Sequence, residues 1–190
     1  MKHIGKIQFS ACIPLCALII AIAMVGCGQK NSASPVSATT FQPDLNDIQQ
    51  IQSDVRRLLN ALYAGDTDSI LKATPLEVIA LMGGEAKARQ MLKDVVQGMQ
   101  ASGAKLESVS FPENPTFLKT DLHQFAVVPT KNIIIFNTSR FESLHFQIGI
   151  KNTGDANWTF IDGEQATNVN KIFPDFPANF QFPPTSTNKI

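Results

Sequence analysis

The chain has 190 residues, of which 44% are hydrophobic, with 16 basic and 16 acidic side chains. That length supports one domain of ordinary size with a substantial core. The charge is balanced and unclustered, which leaves no electrostatic footprint for nucleic acid.

Lys2 and Lys6 precede an uncharged run at residues 11–25, where Ile13, Leu15, Leu18, Ile19, Ile20, Ile22 and Val25 carry the hydrophobicity. A positive start followed by a short apolar stretch is the layout of an export signal. A stable membrane span wants about 20 apolar residues, and this run is shorter and contains Pro14. Ordinary cleavage would follow a small-x-small pattern, which Met24 fits poorly. Met24-Val25-Gly26-Cys27 instead resembles the lipobox of bacterial lipoproteins, with Met24 where Leu is commonest.

That resemblance implies a leader at 1–26 and a lipidation site at Cys27, carrying a diacylglyceryl thioether and an acylated amino group. Each buried methylene contributes about 0.8 kcal/mol, and two or more chains suffice for stable membrane anchoring. Gly28 stands where an Asp would resemble an inner-membrane retention signal. The implied address is the cell envelope, at the outer membrane and facing the periplasm where the cell has one. Cys12 and Cys16 leave with the leader and the Cys27 sulfur is lipidated, so the mature protein relies on packing without a disulfide. Loss of Lys2 and Lys6 leaves 14 basic against 16 acidic groups. Residues 27–42 are small and polar, a composition that suits a flexible tether.

The domain is expected over 43–190. Leu45, Ile48, Ile51, Val55, Leu58, Leu59 and Leu62 recur at steps of three and four and line one face of a helix. Asp44 is its N-cap, Asp47 suits its first turn, and Gly65 ends it. Thr74-Pro75-Leu76-Glu77 reads as a capping box with proline at the first helical position, opening a short helix over 75–82. A further helix over 85–102 buries Ala88, Met91, Leu92, Val95, Val96 and Met99, and Gly103 closes it.

Beyond Gly103 the hydrophobic period becomes two. Strands are expected at 105–111, 122–128, 133–136, 141–151 and 157–162. Residues 133–136 lack polar alternation and suit a sheet interior. Leu144, Phe146, Ile148 and Ile150 share one face, and residues 152–156 turn the chain into Trp158-Thr159-Phe160-Ile161 as a hairpin. The phenylalanines and prolines of residues 173–184 suit an extended strap over the domain, with disorder confined to the last few residues.

Helices followed by antiparallel strands predict the α+β class, with helices on one face of the sheet. The layout resembles the nuclear transport factor 2-like superfamily (SnoaL/ketosteroid-isomerase-like), over about 45–162. More narrowly it is similar to uncharacterised bacterial lipoproteins of that fold. The resemblance rests on Leu81-Met82-Gly83-Gly84, Phe125-Ala126-Val127-Val128-Pro129-Thr130, Trp158-Thr159-Phe160-Ile161-Asp162-Gly163 and Phe173-Pro174-Asp175-Phe176-Pro177. It implies helices held in the curve of a twisted sheet. The superfamily includes isomerases, hydratases, ligand binders and assembly modules, so the fold does not choose among them.

An isomerase of this kind needs an acid as proton shuttle and a hydroxyl or protonated acid facing one pocket. Tyr63 is the single tyrosine and reads more readily as a rim residue over the core than as an oxyanion donor. Asp121 and Asp162 stand at expected turns or strand ends, where Asp serves local hydrogen bonding. His145 and Gln147 alternate against Leu144 and Phe146, so they are expected to face away from the helices, toward solvent or an interface. His123 stands alone near a strand start. Two separated histidines without a free cysteine make no metal site by spacing, and no cofactor motif is present.

An apolar cavity, if formed, should be lined by Leu58, Leu62, Tyr63, Leu144, Phe146, Ile148, Trp158 and Phe160, and would take an apolar or amphipathic small molecule. The favoured expectation is a membrane-anchored binding or assembly module, with a homodimer through the outer sheet face around His145. The alternative is an isomerase, dehydratase or hydrolase acting on a small apolar substrate.

Overall fold

The computed structural model describes residues 38–190. The leader and Cys27 lie outside the described residues. Four helices come first: α1 (Leu45–Ala64), α2 (Thr67–Lys72), α3 (Leu76–Leu81) and α4 (Glu85–Ala101). A two-residue strand, β1 (Thr39–Thr40), precedes them. The strands β2 (Lys105–Ser110), β3 (Thr116–Lys119), β4 (His123–Phe136), β5 (Ser139–Asn152) and β6 (Thr159–Asp162) follow. A 3-10 turn over Gly163–Asn168, the short helix α5 (Val169–Ile172) and β7 (Ser186–Lys189) complete the chain. The architecture is α+β, with the helices ahead of a curved open antiparallel sheet.

Local chemistry explains the helix ends. The Asp44 carboxylate accepts the Asp47 N–H at 2.8 Å, satisfying a donor the helix leaves open. Gly65 ends α1 at φ 82°, in the left-handed region that costs a glycine little. The capping box expected at Thr74 does not form. The Thr74 hydroxyl donates back to the Ile70 carbonyl at 2.9 Å, and α3 has no side-chain cap. The stretch after Gly65, too short for periodicity to mark it, is α2, with Asp66 as N-cap.

The sheet is built on one long hairpin. β4 and β5 pair in unbroken register from His123↔Asn152 to Phe136↔Ser139, and Asn137 takes a positive φ of 54° in their tight turn. The strands expected at 122–128 and 133–136 are thus two halves of β4. Pro129 separates them, and it sits where β4 has a neighbour only in β5: β3 pairs it up to Val127 and β2 from Lys131. A proline is tolerated in a central strand at such a gap, because its missing N–H need not interrupt a ladder. β6 and β7 extend the other edge of β5. β1 pairs with β3 inside the stretch expected to be tether, and β7 orders residues expected to be disordered.

Both faces of the sheet are covered. Ile51, Val55 and Leu59 of α1 pack with Phe117, Ala126, Val128, Trp158 and Phe160. The other face carries Phe125, Val127, Phe146, Ile148 and Ile150 in a cluster that includes Phe173 and Phe176 and reaches residues of α2–α4. Phe176 packs edge-on to Phe125 at 5.1 Å, and Phe182 stacks on Phe146 at 5.3 Å. The C-terminal phenylalanines and residues of α2–α4 therefore cover one face, while Ile51, Val55 and Leu59 of α1 cover the other.

Gly149 decides which face is which. A Cβ placed on it would stand 2.9 Å from Cδ1 of Ile51 and 3.2 Å from the Trp158 ring, so its side of β5 faces α1. Side chains alternate along a strand, which puts Gln147 and His145 on that same side. They were expected to face away from the helices. They are instead 3% and 7% exposed, and Phe146 lies under the strap.

Candidate functional site

Two groupings of polar side chains have the geometry of a site, the first set by how β5 and β6 pair and the second by how α2 meets the sheet edge. Gln147 stands opposite Asp162 in the register of these strands, so both lie on the α1-facing side. Asp162 was expected to serve a local turn. It does accept the Glu164 N–H at 2.9 Å, opening the 3-10 turn. Its carboxylate also accepts from His145 Nε2 at 3.0 Å and from Gln147 Nε2 at 3.2 Å.

Burial alone would lower the His145 pKa, but the Asp162 hydrogen bond and charge, with Glu164 adding to them, outweigh it and raise the value above the usual 6.5. Glu164 is raised above 4.5, by desolvation first and by the Asp162 charge second. Across the hairpin, Thr130 stands opposite His145 and Asn132 opposite Ser143. Thr130 Oγ1 and Asn132 Oδ1 are buried without a protein partner. The result is a polar row inside the molecule, able to hold a proton on a histidine backed by a carboxylate.

The second grouping is an open cleft of about 290 Å³ between α1, α2 and β6. The Phe160 N–H donates to the Ala73 carbonyl at 2.7 Å and pins the end of α2 to the sheet edge, which forms the cleft. Leu58, Ala73, Trp158 and Phe160 are its apolar lining, and Gln50, Asp54, Arg57, Ser69, Lys72 and Asn157 its polar one. Asp54 accepts from Gln50 Nε2 at 2.9 Å and is paired with Arg57. Lys151 Nζ lies 4.7 Å from the centre of the Trp158 ring, a cation–π contact.

Of the expected cavity residues, the structure brings Leu58, Trp158 and Phe160 together at this cleft. Phe146 and Ile148 lie on the strapped face. Leu144 is half-buried on that same side of β5, and pairs with Ser186 of β7. Leu62 packs against the larger core cluster, and Tyr63 is half-buried near the end of α1. Their helical spacing was legible; which of them would meet the strands was not. Asp54, Arg57 and Lys72 went unremarked because charged residues on helices carry no distinguishing signal in one sequence, even where, as at Asp54, the side chain is buried.

His123 is not alone. Its Nδ1 donates to Asp175 Oδ2 at 2.8 Å, and the Thr120 hydroxyl bonds the same oxygen. Asp175, 4% exposed, lies between two phenylalanines of the strap and ties it to the start of β4. Among the described residues no group of three or more His, Cys, Asp or Glu is arranged to hold a metal, and no helix is long and apolar enough to cross a membrane.

Comparison of the chain with protein families, curated proteins and solved structures returned no match.

Proposed function

We propose that the protein is a lipid-anchored module of the bacterial cell envelope that binds a small molecule in the cleft between α1, α2 and β6. The observation that carries this reading is the cleft itself, whose Trp158, Phe160 and Leu58 are ringed by polar side chains. Concave sites with an apolar floor and a few directed polar groups are the usual form of a small-molecule site. The anchor rests on Met24-Val25-Gly26-Cys27, with lipid on Cys27 and the domain facing the periplasm. Helices preceding a curved antiparallel sheet support a cone of the nuclear transport factor 2-like kind.

Native mass spectrometry of protein extracted from its own membrane tests the reading. A small molecule should accompany the chain, and adding it back to stripped protein should change the emission of Trp158, the single tryptophan. Bare protein, or a ligand that leaves that emission unchanged, refutes it.

One observation favours a second reading, an isomerase, dehydratase or hydrolase. His145 and Asp162 converge on the α1-facing side of the sheet, where a carboxylate-backed imidazole can shuttle a proton. Under this reading any activity found toward a small substrate disappears in His145→Gln. Activity that survives the substitution removes the pair from the mechanism.

A further inference from the structure

Resting on the cleft as the binding site, we infer that its ligand is a small amphipathic anion, with its charged group at Lys72 and its apolar body against Trp158 and Phe160. Three charged residues line the cleft: Asp54, Arg57 and Lys72. Asp54 and Arg57 form an ion pair, and Gln50 supplies a further hydrogen bond to the carboxylate. This acid is therefore already satisfied and offers little to a ligand cation.

Lys72 differs. It is exposed at the end of α2, and among the described residues no carboxylate stands within ion-pair distance of its ammonium. The acid that feels its charge is Asp66, and the Asp66 carboxylate is occupied by the Ser69 hydroxyl at 2.6 Å and the Ser69 N–H at 3.0 Å. Asp68, one turn earlier, pairs with Arg89 of α4. The acids around Lys72 are thus committed elsewhere. Lys151, over the Trp158 ring, also lacks a carboxylate partner among the described residues and adds positive potential near that wall of the cleft.

Apolar groups line the same cleft as this uncompensated charge. Trp158 and Phe160 are 7% and 6% exposed, and Leu58 is half-buried beside them. A bare anion would leave that floor uncovered, and a neutral apolar molecule would leave the Lys72 ammonium without a partner. A molecule with one carboxylate or comparable anionic group and a short apolar or aromatic body satisfies both. Ser69 and Asn157 add polar groups at the rim for orienting it.

Three probes of matched shape test this: 4-phenylbutyrate, neutral 4-phenylbutyramide and cationic 4-phenylbutylamine. Each is titrated into the full lipidated chain held in phosphatidylcholine vesicles, with Trp158 emission as readout. The anion should bind most tightly, about fivefold better than the amide, the worth of one solvent-exposed ion pair. Lys72→Gln should remove that advantage and leave amide binding unchanged. If the amide binds as well as the anion, or the amine binds best, or Lys72→Gln weakens anion and amide alike, the anion assignment is wrong while the cleft remains a binding site. If none of the three alters Trp158 emission, the cleft reading falls with it.

Discussion

Replacing Gly149 with alanine tests the placement of α1 on the sheet. The added Cβ would stand 2.9 Å from Cδ1 of Ile51, 3.2 Å from Cε3 of Trp158 and 3.3 Å from Cε1 of Phe160. Two of those neighbours are ring atoms, which cannot swing aside as a chain end can. Overpacking a close-packed core costs about 1–3 kcal/mol. Alanine regains about 0.4–1 kcal/mol by restricting the unfolded chain. The net expectation is a loss of about 1 kcal/mol, or roughly 2–4 °C in Tm for a domain of this size. Ile51→Val removes the nearest atom and by itself costs about 1 kcal/mol. Combined, the two should cost less than their sum, with a coupling of about 0.5–1 kcal/mol. Urea titrations of wild type, both single variants and the double variant measure it. Strict additivity, or a Gly149→Ala that is more stable than wild type, would mean that this side of β5 does not face α1, and the inward placement of His145 would fail too.

His145 has a raised pKa in the folded state, so its contribution is complete below the ordinary value of about 6.5 and is lost as pH rises through the folded value. Glu164, also raised, acts in the same direction above about 4.5. Tm should therefore fall as pH climbs from mildly acid to mildly alkaline, and His145→Gln should flatten the upper part of that profile; an unchanged profile in the variant contradicts the pairing with Asp162. Phe176→Ala removes a ring that is 2% exposed and packed on Phe125, so it should cost about 3–5 kcal/mol by denaturant unfolding. A loss under about 1 kcal/mol would show that the strap does not belong to the core. Cys27→Ala should abolish lipid labelling and leave an uncleaved precursor, since the proposed anchor makes its sulfur the acceptor; normal labelling and processing would overturn that proposal.

Local determinants were readable along the chain. The apolar stripe of α1 from Ile48 onward, the Asp44 cap and the Gly65 stop depend on residues within a few positions of one another, as do the β5–β6 hairpin and the class of the fold, although Leu45, expected on that stripe, is 75% exposed. Alternation in β5 also sorted its side chains correctly into two sets. It could not say which set meets the helices, because period two fixes only that neighbours point oppositely. The apolar set, Phe146 and Ile148, suggested the helix side. The tertiary structure does pack it against Ala61 and residues of α2–α4, together with Phe173 and Phe176, but Ile51 of α1 meets the opposite side at Gly149, so the polar set lies under a helix as well.

The polar set then forms a site that no local pattern announces: His145, Gln147 and Asp162 meet only because β6 pairs back onto β5 in one register. His123 and Asp175 are likewise partners across 52 positions of sequence. The cleft needs the Ala73–Phe160 hydrogen bond to set α2 against the sheet edge. Short-range periodicity records what each segment prefers to bury. Which buried surfaces meet is settled by long-range pairing, and both candidate sites of this protein are made of such meetings.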